Sequence, residues 1–155
     1  MTDELTPPVA RTRLGQAMTN ALGSDSLHLQ RCEHCATVQY PPREVCVACL
    51  SDALSWCPVE SEGTVLASSA LHHCLNPWFA ARKPWLMGSV KLNCGPVVLA
   101  HLSRKVASAG SAVRVFSLKD RSGQAVLVAL PLSLDLAQAA STAKQLIMSD
   151  PQEMT

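Results

Sequence analysis

The chain has 155 residues, 48% of them hydrophobic and only 16% charged, and its 13 Lys and Arg nearly balance 12 Asp and Glu to leave a net charge of +1. That balance excludes the clustered cationic footprint of a general nucleic-acid binder, and the length fits one domain or a small module attached to one. A charged share below the usual quarter or so leaves a surface poor in charge. A partner that covers part of it is the reading this composition favours.

The first residues, Met1-Thr2-Asp3-Glu4-Leu5, have neither the basic start nor the apolar run of a signal peptide. No window approaches the ~18 apolar residues that span a bilayer. The expected location is therefore cytoplasmic, where thiols stay reduced. The seven cysteines then read as metal ligands and free thiols, and an odd count fits poorly with a fully paired disulfide framework.

In chain order, residues 1–27 carry a helical pattern, with Val9, Leu14, Ala17, Met18, Ala21 and Leu22 near i, i+3, i+4 spacing. Pro7 and Pro8 precede it and Gly23 follows it, as start and stop signals. Such a helix packs on its own domain or docks on a partner.

Residues 28–56 hold two C-x-x-C knuckles, Cys32-Glu33-His34-Cys35 and Cys46-Val47-Ala48-Cys49, separated by ten residues. Each turn aims two sulfurs at one point, and two turns supply the four thiolates that suit tetrahedral Zn²⁺. Soft sulfur ligands favour zinc or a rubredoxin-type iron over magnesium or calcium. Cys32, Cys35, Cys46 and Cys49 fill every position, so the metal has no open site and serves structure. A redox dithiol needs only one such pair, usually in a βαβ setting. His34 lies inside the first knuckle and is expected at the surface. Residues 28–56 cannot build a core of their own, and metal binding supplies their folding free energy.

Residues 57–131 read as β-structure. Five runs rich in Val and Leu, at 64–71, 86–92, 96–102, 112–118 and 125–130, are separated by turn material such as Asn93-Cys94-Gly95-Pro96 and Asp120-Arg121-Ser122-Gly123. Short strands at this spacing predict a small barrel or sandwich, not a βαβ fold. The extension at residues 132–155 is helical over 132–150, with an apolar stripe of Leu136, Ala139, Ala140, Ala143, Leu146 and Ile147. Asp135 suits the N-terminus of that helix and Pro151 its end.

These features together resemble a known family: the small zinc-ribbon/OB-fold proteins that accompany thiolases and related acyl-CoA enzymes, once catalogued as a domain of unknown function. The resemblance covers roughly residues 10–131. It rests on the helix before Leu27-His28-Leu29-Gln30-Arg31-Cys32, on Tyr40-Pro41-Pro42-Arg43, on the second knuckle with Leu54-Ser55-Trp56 after it, on Glu62-Gly63-Thr64-Val65, and on Pro84-Trp85 and Gly95-Pro96. It implies a mainly β fold with flanking helices: an N-terminal helix, a rubredoxin-like zinc ribbon, a five-stranded OB barrel and a C-terminal helix. It also implies a non-catalytic subunit that binds a thiolase-like enzyme and helps form its acyl-CoA site. A hot-dog-fold acyl-CoA hydratase is the alternative partner. Where ribbons commonly place glycine after each knuckle, because the turn favours positive φ, this chain has Ala36 and Leu50.

Two further groups carry chemistry. His72, His73 and Cys74 follow the first barrel run, and on a continuing strand His72 and Cys74 would share a face. Without a third orienting group they read as structural or partner-facing, and Cys57 and Cys74 as small apolar residues. The loop from Asn76 to Trp85 concentrates Trp78, Phe79, Arg82, Lys83 and Trp85 between the first two barrel strands. Aromatics beside cations mark interface anchors, and OB folds bind ligands with such loops. Arg82 and Lys83 also suit the phosphates of coenzyme A. A single-stranded nucleic-acid ribbon/OB protein is a rival reading, but two Phe and one Tyr are few stacking platforms.

Overall fold

The computed structural model describes residues 5–22 and 26–149. Its elements are α1 (Arg13–Asn20), β1 (His28–Cys32), β2 (Val38–Gln39), β3 (Leu54–Pro58), β4 (Glu62–Leu71), α2 (Pro77–Ala80), β5 (Trp85–Leu92), β6 (Val97–Leu102), a 3₁₀ turn (Arg104–Val106), β7 (Ala112–Lys119), β8 (Ala125–Pro131) and α3 (Leu136–Met148).

The N-terminal helix is shorter than its pattern. Thr12 caps α1 by accepting from the Gly15 N–H at 3.1 Å, so Val9 precedes it and Ala21 is its C-cap. The expected stop at Gly23 lies outside the described residues. The helix packs on its own barrel: Met18 joins the core, and the Thr19 hydroxyl accepts from the Ala125 N–H at 3.0 Å.

The ribbon is a three-stranded antiparallel sheet in the order β2-β1-β3. Beyond it the five predicted runs form β4 to β8, which close as β4-β5-β6-β8-β7 with β7 returning to β4. All pairs are antiparallel except β6 with β8. In barrel-strand numbering this order is 1-2-3-5-4, a five-stranded Greek-key barrel, the OB fold. Val65, Val90, Val98, Val113, Val115 and Leu127 fill its interior, as period-2 alternation of apolar residues dictates. Gly63 lies against the Lys91 backbone, where a side chain would collide with the carbonyl.

The last helix covers the outside of the barrel. Asp135 caps α3 by accepting from the Gln138 N–H at 2.8 Å. Ala139, Ala143 and Ile147 are buried against Trp85, Val128 and Leu130, with Leu146 partly buried beside them. The stripe is narrower than predicted, because Leu136 stays 65% exposed and Ala140 is also exposed. No helix of the described residues is long and apolar enough to cross a membrane.

Candidate metal centre and aromatic loop

The two knuckles fold alike. In the first, the Ala36 N–H donates to Cys32 O at 2.9 Å and the Cys32 N–H to Thr37 O at 2.9 Å. In the second, the Leu50 N–H donates to Cys46 O at 3.0 Å and the Cys46 N–H to Ser51 O at 2.8 Å. Both turns are completed by an L-residue in the left-handed region, Ala36 at φ 62° and Leu50 at φ 61°. The knuckle geometry is therefore kept without glycine, at a local steric cost.

All four sulfurs lie within 4.8 Å of one another. Cys32 and Cys49 are 3.6 Å apart, as are Cys35 and Cys46. A tetrahedron with Zn–S bonds of about 2.3 Å has edges of about 3.8 Å, so the set fits a tetrahedral metal. Charge is unevenly supported. The Thr37 hydroxyl, 3.2 Å from Cys35 Sγ, holds that thiol down at about 6. The Ser51 backbone N–H lowers Cys49, but burial and the three neighbouring sulfurs outweigh it and push the thiol up to about 12. Sulfurs this close cannot all ionise without a cation among them. His34 is exposed beside the set.

Two buried glutamines, which the sequence reading passed over, hold the second knuckle against the sheet. Gln30 on β1 accepts from the Arg43 N–H at 2.8 Å and donates to Arg43 O at 3.0 Å. Gln39 on β2 accepts from the Val47 N–H at 2.9 Å and donates to Gln30 Oε1 at 3.0 Å. Amides suit this work because each offers a donor and an acceptor to an extended backbone.

The aromatic loop is a packed corner. Trp78, Arg82 and Trp85 are 2%, 7% and 4% exposed, although Arg82 is charged. The Arg82 guanidinium lies 3.1 Å from the Trp78 ring centroid, a cation–π stack. It donates to Trp78 O at 3.1 Å and to Ser149 O, just past α3, at 3.0 Å. Phe79 is half-buried and meets the Trp85 ring edge-on at 5.4 Å. Of the five loop candidates, Lys83 faces solvent. The strand β4 ends at Leu71, so His72, His73 and Cys74 lie in the loop and strand alternation does not place them. Cys57 and Cys74 are half-buried.

The corner also contains His101, one histidine in the otherwise apolar β6. Trp85 Nε1–H donates to its Nδ1 at 2.7 Å. Burial depresses its pKa to about 4, against a weaker upward pull from Asp120.

Fold and metal centre together define a zinc-ribbon/OB-fold protein. Two family models match consecutive stretches of it: the ChsH2 rubredoxin-like zinc ribbon domain over residues 19–55 and the ChsH2 C-terminal OB-fold domain over residues 56–116. The chain belongs to this ChsH2 zinc-ribbon/OB-fold family. Among solved structures it is similar to a chain titled "Ltp2-ChsH2(DUF35) aldolase", at 24% identity and a TM-score of 0.66, covering 81% of this chain and 98% of that one. At that identity the likeness speaks for the shared fold. Comparison with curated protein sequences gives no significant match. The end of β7, the whole of β8 and α3 lie beyond the two matched domains.

Proposed function

We propose that the chain is a non-catalytic accessory subunit of a heteromeric thiolase-like enzyme, and that it helps form or stabilise that enzyme's acyl-CoA site in a reaction that makes or breaks a C–C bond. The observation that carries this reading is the likeness, over nearly the whole of the other chain, to a protein titled as an Ltp2–ChsH2(DUF35) aldolase. Family membership supports it. So does the metal centre, whose four sulfurs leave no open position for a substrate or water.

The barrel surface supports a partner as well. Leu66, Leu75 and Leu99 are 50%, 94% and 58% exposed, and Lys83 is exposed near the end of the aromatic loop. A zinc-stiffened ribbon and a closed barrel give a partner a rigid surface, which lowers the ordering cost of association. Lys83 is the loop residue suited to an anionic cofactor shared with that partner.

Coexpression with a thiolase-like subunit from the same genome tests the reading. The expected result is a stable stoichiometric complex that turns over an acyl-CoA only when both chains are present. Turnover by the chain alone, or a chain that stays apart from every such subunit, would overturn it.

A further inference from the structure

A cavity of about 600 Å³ opens between β7, α3 and the link from ribbon to barrel. Its cause is a mismatch in strand length. The strand β4 pairs with β7 only over Ala112 to Arg114. The last tie on that side is the Val115 N–H to Ser61 O at 2.8 Å. Before Ser61 the link turns away to the ribbon, where the Val59 N–H donates to Leu27 O at 2.9 Å. Residues 116–118 of β7 therefore pair with β8 but have no strand on their other side. The helix α3 crosses this gap without filling it, because it presents Ala137 and Ala140 there.

The walls are mostly apolar, with Phe116, Leu118 and the exposed Leu136 among them. The lining carries Arg114 and Lys144 and no carboxylate. Arg114 is steadied by Glu62 at 2.9 Å, while Lys144 makes no ion pair among the described residues. Ser117 also lines the cavity, and its Oγ is shut off from solvent without a hydrogen-bond partner. An apolar void of ligand size with a few convergent polar groups is the usual form of a small-molecule site.

We infer that this cavity binds a small amphipathic anion, an acyl chain lying on Phe116, Leu118 and Ala140 with its charged end toward Lys144 and Arg114. The site is built by this chain alone, and it forms whether or not a catalytic partner binds. Its α3 wall lies outside the residues that the two family models match. The same chemistry is offered by a free fatty acid and by an acyl-CoA, whose phosphates would sit at the rim.

The full-length zinc-loaded chain is titrated with the fluorescent anionic amphiphile 1-anilinonaphthalene-8-sulfonate, then with dodecanoate, dodecanoyl-CoA and neutral dodecanol below their aggregation limits. Saturable single-site dye binding that dodecanoate displaces is expected. Displacement by dodecanoate but not by dodecanoyl-CoA assigns the free acid; displacement by both assigns the acyl group with either head. Ala140→Phe fills the void from an exposed position and is expected to abolish binding with the melting temperature unchanged. Lys144→Glu is expected to weaken dodecanoate by about five-fold or more while leaving dodecanol unaffected. Absence of saturable binding overturns the site. So does binding that survives both substitutions, or dodecanol binding as tightly as dodecanoate.

Discussion

Trp85 donates its indole N–H to His101 Nδ1 at 2.7 Å inside the barrel's outer corner. The bond fixes the imidazole tautomer, since a nitrogen that accepts cannot carry the proton. Protonating His101 would place two donors face to face in a site closed to water. That is the chemical content of a pKa lowered to about 4 by burial.

The corner makes stability depend on pH in a defined window. Below the ordinary histidine value of 6.5 the unfolded chain takes up a proton that the folded chain refuses until about 4. Stability is full above that window and falls as pH drops through it, by about 3 kcal/mol from this group. Denaturant titrations of zinc-loaded protein across the window should show the slope. The variant His101→Gln, compared at each pH so that carboxylate and thiol contributions cancel, should lack it.

The metal centre should behave as a fold requirement. Cys46 is fully buried, and Cys46→Ser is expected to abolish zinc retention and to unfold residues 28–58 while the barrel persists. Metal analysis and hydrogen exchange resolved along the chain would check both halves. Cys57→Ser, which changes a cysteine outside the set, should retain one zinc per chain.

Gln39 and Gln30 should govern how long the metal stays. Gln39→Leu leaves the Val47 N–H without its partner and removes one of the two donors to Gln30 Oε1, and should cost about 2 kcal/mol. Zinc transfer to a chromogenic chelator is expected to accelerate by about tenfold, the usual effect of removing an outer hydrogen-bond partner.

Replacing the residue that ends each knuckle should raise stability. Ala36 and Leu50 sit at φ 62° and 61°, where a Cβ is strained. Ala36→Gly and Leu50→Gly are each expected to gain about 0.5–1 kcal/mol. The gain is a net of relieved strain against the added freedom of the unfolded chain. Thermal melts of the two variants and their double mutant measure it.

The barrel was legible because period-2 runs and Gly- or Pro-bearing turns are local signals, and each predicted run matches β4 to β8 within two residues at either end. The metal set was legible because the C-x-x-C spacing itself carries the geometry. The ribbon strands were not, since β2 is a single residue pair whose existence depends on pairing with β1. The burial of Arg82 and the place of His101 in the corner were not legible for a related reason. A charged or titratable residue reads as surface until a distant partner buries it, and theirs are Ser149 and Trp85. The Leu136 edge of α3 was overassigned because a helix period shows which residues share a face, not how much of that face a neighbour covers.

The bond from Arg82 to Ser149 O joins the barrel's first loop to a residue 67 positions later. A ribosome delivers the chain from its N-terminus. The ribbon can take its metal and the strands can pair while α3 is still being made, but the aromatic corner waits until residue 149 has been delivered. A nascent or prematurely ended chain would thus present Trp78 and Phe79 to the cell uncovered, a mark by which quality control can tell unfinished copies from finished ones.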